Sequence, residues 1–406
     1  MIRFAIVGIG GYGWQLVRSI TEVAEELDCK LVAAADSRLG DLAERAQTLA
    51  GTGVELFDDA TKMFDKMKGR CDAIYICTSI PSHEPLACAA ARGGYHIHLE
   101  KPPAATVQAT DRIVEAIDKA GVLCMLGFHN IHGQEMLLLK KRICDGRLGQ
   151  MKSLVATASL PRKRFYYTRN NWAGQLRLGD DWVLDGPAGN AAAHEINSML
   201  FLASSDPGRY ACPVAVRAEL YAAGPIKAHD TAAIEIQTDG PTVWLFVSHC
   251  TAEKAEPCIT VEGELGKAVW RAGHVRITYA DGSSEELSAD RQARANMVTH
   301  LVEAIRNGDE SKLLTRPIDG RNMVAALNAA HESSRTIHRI TPDFIAPADD
   351  QAQAATVVEN MVQYIKEAAQ QHCLFSQLPD APPWAVATRS FDLTGYEDFP
   401  KQFTCD

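Results

Sequence analysis

What the sequence lacks narrows it first. No apolar run approaches the roughly 20 residues that a membrane-spanning helix needs. Positive charge is in deficit: 41 Lys+Arg face 51 Asp+Glu, a net charge of −10. That argues against a nucleic-acid partner held through counterion release. The start, Met1-Ile2-Arg3-Phe4-Ala5-Ile6-Val7, has no basic leader, long apolar segment or small-residue cleavage site, so no secretory signal is expected. None of the eleven cysteines stands in a C-x-x-C pair. Their number is odd, and Cys77, Cys88 and Cys124 lie in apolar runs, the pattern of reduced thiols in a cytoplasmic protein. No metal is expected. His96-x-His98 puts two imidazoles on one face of a strand, but no third ligand has metal spacing.

What is present is an ordinary globular composition, 406 residues with 46% hydrophobic and 23% charged, long enough for two domains. Over residues 1–126 apolar strands alternate with helical patterns. The strands are Ile2–Val7, Leu31–Ala35, Val54–Phe57, Ala73–Cys77, His96–Leu99 and Val122–Gly127. Strands that are apolar throughout, joined by helices, predict a doubly wound parallel sheet covered on both faces. In such sheets ligands bind beyond the C-terminal strand ends, where strand order reverses.

The chemistry-bearing residues sit at those ends. Gly8-Ile9-Gly10-Gly11-Tyr12-Gly13 follows the first strand and opens a helix. Gly8 permits the turn, Gly10 lets backbone approach a pyrophosphate, and Gly13 lets helix pack close to strand. Asp36 ends the second strand, where a carboxylate accepts from ribose hydroxyls and favours NAD. Ser37-Arg38 follows it, and an Arg there also suits the 2′-phosphate of NADP. Cys77-Thr78-Ser79-Ile80-Pro81-Ser82-His83 leaves the fourth strand and Glu100-Lys101-Pro102-Pro103 the fifth. Lys101 before a proline is held extended at a buried strand end, placed to hydrogen-bond a substrate hydroxyl.

Beyond Gly149 the pattern changes to strands joined by Gly- and Pro-bearing turns, among them Lys152–Leu160, Val214–Ala222, Thr231–Thr238 and Thr242–His249. These predict an open antiparallel sheet with one face covered. The covering helix is expected over Ala188–Ala203, so that Asn190, His194 and Asn197 share one face. Tyr166 to Gly174 interleaves Arg169, Asn171 and Trp172 with other aromatics, which suits a polyhydroxylated ligand. Asp185 follows in Trp182-Val183-Leu184-Asp185. Arg291–Asn307 and Asp319–His338 read as amphipathic helices. A third segment begins near residue 341, with a helix from about Ala352 to His372 and a tail rich in Pro and aromatics. The division expected is 1–126, 127–340 and 341–406.

The glycine loop, Asp36, the run Asp72–His83 and Glu100-Lys101-Pro102 together resemble the Gfo/Idh/MocA oxidoreductases, the glucose–fructose oxidoreductase and inositol dehydrogenase family. Gly127-Phe128-His129 is similar to the family's G-F-N strand, and Arg147-Leu148-Gly149 to its turn into the second domain. The resemblance implies an α/β Rossmann domain followed by an α+β domain with an open antiparallel sheet. It implies NAD or NADP as cofactor, cofactor contacts along Gly8–Gly13, Asp36–Arg38, Cys77–Ser79, His83, Glu100 and Lys101, and a free sheet face that makes a homodimer or homotetramer contact. His194 matches the acid–base histidine of the pattern D-x-G-x-H-x-x-D. The sequence departs from the family at Ser79-Ile80, where a proline is usual, and at Asn190 and Asn197, where carboxylates are usual. Asp185 is the candidate replacement acid.

The expected function is hydride transfer between a sugar, polyol or sugar-acid carbinol and nicotinamide. Lys101 and His194 are the catalytic pair, with His129, Arg169, Asn171, Trp172, Asp185 and Asn190 around the substrate. Two other classes stay open: an NAD-dependent glycoside hydrolase working by transient oxidation and elimination, which releases an aglycone without net NADH, and a non-catalytic dinucleotide-binding regulator.

Overall fold

The computed structural model describes residues 1–288, 292–347 and 355–405. The chain divides into two compact units, Met1–Gly133 with Asp290–Arg321, and Gln134–Ala289 with Asn322–Asp406.

In the first unit β1 (Ile2–Val7), β2 (Cys29–Ala35), β3 (Glu55–Phe57), β4 (Ala73–Ile76), β5 (His96–Leu99) and β6 (Cys124–Leu126) form one sheet in the order β3-β2-β1-β4-β5-β6. Every pairing is parallel. Strand order reverses between β1 and β4, so their C-terminal ends open a crevice. Phe4, Ala5 and Ile6 on β1 and Ile74, Tyr75 and Ile76 on β4 have no exposed surface, as strands covered on both faces require. The helix Val107–Ala120 starts at Thr106, whose side chain accepts from Ala109 N, and stops at Gly121 in the left-handed region at φ 63°. The helix Ala293–Asn307 also belongs to this unit. Its Ala295, Met297, Val298, Leu301 and Val302 join Leu16 and Ile20 in one core.

The second unit contains β7 (Met151–Ser159), a small hairpin of β8 (Arg177–Leu178) and β9 (Asp181–Trp182), β10 (Pro213–Ala222), β11 (Thr231–Thr238), β12 (Thr242–Ser248), β13 (Ala255–Gly263), β14 (Gly266–Arg271), β15 (His274–Tyr279), β16 (Ser284–Ser288), β17 (His338–Arg339) and β18 (Phe391–Asp392). The large sheet runs β16-β15-β14-β13-β7-β12-β11-β10-β17, with β18 also on β10. The sheet is mostly antiparallel, as expected, with parallel pairings at β7 and β17. β7 lies between β12 and β13, parallel to the first and antiparallel to the second. β17 is parallel to β10. One sheet face carries Leu154, Ala156, Leu245 and Val247, all fully buried. The helix Ala193–Ala203 packs there through β7 and β12.

The opposite face is covered by the chain's own C-terminal segment. Met361, Ile365, Leu374, Phe375 and Trp384 form one core with Val155, Tyr221, Trp244 and Phe246. The helix in this segment is Met361–Gln371, shorter than the sequence suggested. Residues 352–354 of the expected helix lie outside the described residues. The end of the tail closes on Glu332, whose side chain is fully buried. It accepts from the backbone N–H groups of Lys401, Gln402 and Phe403 at 2.6, 2.7 and 2.9 Å, and from the Tyr396 hydroxyl at 2.9 Å. Over β7 and β10–β12, the sheet face that the resemblance offers to a second subunit is therefore occupied in cis.

Several histidines are buried as neutral rings. Burial holds the imidazoles of His129 and His331 down at about 4. Burial, then Arg162 and Arg169, hold that of His249 at about 3. The unfolded chain protonates near the ordinary value of 6.5, so below that pH it binds more protons than the folded chain. Their contribution to stability is complete above pH 6.5 and is lost as pH falls toward 4, at up to about 1.4 kcal/mol per pH unit for each ring. Thermal melts are expected to give a clearly lower Tm at pH 5 than at pH 7.5. An unchanged Tm would contradict this burial.

Candidate active site

In the first unit the site grows from the turn after β1. Gly8 has φ +90°, and a Cβ there would lie 2.1 Å from the Cys77 carbonyl oxygen. A Cβ at Gly13 would lie 1.9 Å from the Gly8 carbonyl oxygen. Both positions are therefore closed to any side chain. Gly10 differs. A methyl there would meet only Arg38 Nη2, Leu42 and Asp36 Oδ2, at 3.6 to 4.0 Å, and would stand in the hollow itself. Asp36 is tied to the loop: Oδ2 accepts from Ile9 N at 3.0 Å and Oδ1 from Arg38 N at 2.9 Å. Ser37 and Arg38 are exposed. Arg45, not singled out in the sequence, donates to Ile9 O at 2.8 Å. Gly11 takes φ +41°, and Tyr12 caps the helix Gly13–Val23, whose first N–H groups face the loop. At the end of β4, Thr78 packs beside Gly8, and its buried hydroxyl has no hydrogen-bond partner. The bare backbone at Gly10, the helix N–H groups and an orphaned hydroxyl fit a bound dinucleotide.

Two residues expected at the cofactor hold the Lys101 loop from behind. His83 is 1% exposed. Its Nδ1 lies 2.8 Å from Pro102 O and its Nε2 3.2 Å from Thr78 O, and burial lowers its protonation. The neutral ring donates once, so it ties one loop to the other rather than presenting a charge. Glu100 is 5% exposed and folds inward. Its Oε2 accepts from Lys101 N at 3.2 Å, and its Oε1 is 3.6 Å from His98 Nε2. A Cβ at Gly127 would lie 2.4 Å from that Oε1, so the glycine after β6 makes room for the carboxyl. Lys101 itself is half-buried and precedes Pro102 through a cis peptide bond. His129 stacks beside Tyr12, with Nδ1 3.3 Å from the hydroxyl. Arg294 reaches the same Tyr12, a neighbour the sequence did not signal because it lies on the distant helix Ala293–Asn307.

In the second unit the expected helix Ala188–Ala203 begins only at Ala193. Gly186, Pro187 and Gly189 favour turns over helix, and Gly189 N and Asn190 N both donate back to Gly186 O. Asn190 therefore does not share a helix face with His194. Its amide donates to Asp185 Oδ1 at 2.7 Å, while Asp185 Oδ2 accepts from Gly174 N at 2.8 Å. Asp185 thus braces two loops. A Cβ at Gly186 would fall 2.1 Å from the His229 ring, so that buried imidazole presses directly on the turn. Asn197 is fully buried, with Nδ2 3.5 Å from the Tyr210 hydroxyl, and packs inside. His194 is half-buried at the start of its helix. In the aromatic loop Arg169 and Asn171 are exposed and Trp172 half-buried. Asn170 Oδ1 accepts from Trp172 N and Ala173 N. Among the described residues no group of three or more His, Cys, Asp or Glu is placed to hold a metal, and no helix is long and apolar enough to cross a membrane.

Residues 2–128 match the Gfo/Idh/MocA family, described as an oxidoreductase family with an NAD-binding Rossmann fold. Inositol 2-dehydrogenase of Klebsiella pneumoniae subsp. pneumoniae is 28% identical over 206 residues, 50% of this chain and 55% of that protein. The match thus spans little more than half of that relative. The WlbA dehydrogenase of Bordetella pertussis, solved with NADH and UDP-GlcNAcA, superposes with a TM-score of 0.68 at 24% identity, over 82% of this chain and 96% of that one. Levoglucosan dehydrogenase, solved with NADH and L-sorbose, gives 0.71 at 18% identity, over 82% and 97%. At such identities these two structures show a shared fold. The first unit is an NAD-binding Rossmann domain. The likeness to the Gfo/Idh/MocA oxidoreductases is carried by this unit, over residues 2–128.

Gly13 and Gly10 are expected to part company on substitution. Gly13→Ala should cost about 1–3 kcal/mol of stability through overpacking. Gly10→Ala should melt like the parent yet bind NAD about tenfold more weakly, near 1.4 kcal/mol. Calorimetry and NADH fluorescence titration measure both, and equal binding by Gly10→Ala would remove the pyrophosphate from this loop.

Proposed function

We propose that the chain is an NAD-dependent dehydrogenase that oxidises a secondary hydroxyl of a sugar, polyol or sugar acid, or reduces the corresponding ketone. The observation that carries this is Lys101. A cation stands at the end of a buried strand, in the crevice that holds the glycine loop, with Glu100 and His83 fixing its backbone from inside. NAD, when bound, supplies the hydride acceptor. Lys101 donates a hydrogen bond to the reacting oxygen and steadies negative charge on it. His194 accepts the hydroxyl proton. Asp185 and Asn190 hold the turn that leads into the His194 helix. Asp36, with its charge at the end of β2, sets the preference for NAD over NADP, since a 2′-phosphate would face a carboxylate.

The relatives support this reading, being named inositol 2-dehydrogenase, WlbA dehydrogenase and levoglucosan dehydrogenase, the last two solved with NADH. None of the eleven cysteines is joined in a disulfide, which supports a reducing compartment such as the cytoplasm. A homodimer or homotetramer is part of the proposal. The tail leaves β13–β16 as the part of the sheet face that a second copy can reach.

Lys101→Ala and His194→Ala are each expected to lower kcat by about 10²–10⁴-fold while leaving NAD affinity near that of the parent. NADH formation at 340 nm with myo-inositol and a sugar panel is the assay. Undiminished turnover by Lys101→Ala would sink the assignment, and an aglycone released from glycosides without NADH would replace it with the elimination chemistry.

A further inference from the structure

Residues 151–179 carry Lys152, Arg162, Lys163, Arg164, Arg169 and Arg177 and no Asp or Glu, within a chain of net charge −10. Two of these guanidiniums share one ring. Arg169 lies 3.6 Å and Arg162 4.7 Å from the centre of Tyr166, and Arg169 is also 5.1 Å from Trp172. Neither forms an ion pair among the described residues. Like charges gathered on one ring without a carboxylate repel each other. Stacking on aromatic faces offsets part of that and leaves the guanidinium edges to hydrogen-bond elsewhere.

His249 completes the cluster. It follows β12 and is 4% exposed. Arg162 N donates to its carbonyl oxygen at 3.2 Å, and its ring meets Tyr166 edge to face. Nδ1 lies 2.9 Å from the Tyr167 hydroxyl. Burial keeps that hydroxyl protonated; when it donates to Nδ1, the ring's single proton rests on Nε2. Nε2 is buried with no hydrogen-bond partner, and so is Arg162 Nε. The acids that act on Tyr167 are engaged elsewhere: Asp185 accepts from Gly174 N and Asn190, and Asp230 from Ala223 N and Gly224 N. Arg169 Nη1 donates to Tyr166 O at 2.5 Å, so the site holds two orphaned donors, His249 Nε2 and Arg162 Nε, beside two cations that form no ion pair among the described residues.

We infer that Arg162, Arg169 and His249 form an anion subsite, and that the group it takes is the carboxylate or phosphate of an acidic sugar derivative. The assignment of that anion to the substrate rests on the dehydrogenase reading. The subsite belongs beside the substrate residues because its loop is anchored where theirs is. Gly174, at the end of the Tyr166–Trp172 loop, donates to the same Asp185 that holds Asn190 in the turn before His194.

The test uses thermal shift of the full chain with D-glucose, D-gluconate and D-glucose 6-phosphate. One or both acidic probes should raise Tm more than glucose does, and the difference should shrink in high salt. The probe that shifts it separates carboxylate from phosphate. Arg162→Gln and Arg169→Gln should each weaken that probe's binding at least tenfold (order of magnitude for one lost charged hydrogen bond). Their unliganded Tm and NADH binding should stay near those of the parent. Equal shifts from glucose and both acids, or a parent-like shift in the double variant, would overturn the subsite. NADH formed from neutral polyols without any anion-dependent shift would overturn it while sparing the dehydrogenase. Anion binding intact with no NADH from any sugar would do the reverse.

Discussion

A single methyl group at position 13 would sit 1.9 Å from the carbonyl oxygen of Gly8, and the mouth of the parallel sheet depends on its absence. Only with two bare Cα atoms, at 8 and 13, can the first helix start within the turn that ends β1. That close start aims the helix N–H groups at the crevice. It also brings Ile9 near enough for its amide to be taken by Asp36, so the end of β2 is fastened to the end of β1. The strand order supplies the crevice, and the missing side chains leave it open.

The Lys101 backbone is held by its neighbours. His83, Glu100 and Gly127 are each explained by the others' positions. The imidazole links two strand-end loops, the carboxyl turns inward, and the glycine gives it room. A mobile side chain at a loop usually has a wandering backbone under it. Here the backbone is fixed from below, by His83 on Pro102 and by Glu100 on the Lys101 amide.

Much of this was legible in the sequence. The strands of the first unit follow from short apolar runs ending in glycine or acid, and the order of chemistry-bearing strand ends follows from alternation alone. Legibility failed where distant segments decide. Ala293–Asn307 has the periodicity of any amphipathic helix, and nothing local tells it to pack on Leu16 and Ile20. The helix bearing His194 was read five residues too long, because Ala188 and Ala191–Ala193 suggest helix while Gly186, Pro187 and Gly189 hold a turn braced by Asp185 and His229. The parallel partner of β7 was invisible for the same reason. Pairing with β12 joins residues nearly ninety positions apart, and single-strand patterns carry no pairing direction. His249 stands in sequence as the end of a strand and Arg162 carries no local signal; the fold sets them side by side.

Glu332 orders the making of the second unit in time. Its carboxyl is enclosed by amides of residues 401–403 and the hydroxyl of Tyr396, groups that come some seventy residues later in the chain. During synthesis those partners do not yet exist, although the strands they will cover are already long enough to pair. Until they arrive, the Glu332 carboxyl lacks the donors that enclose it, and before residues 361–384 are made the apolar face of Tyr221, Trp244 and Phe246 lacks its cover.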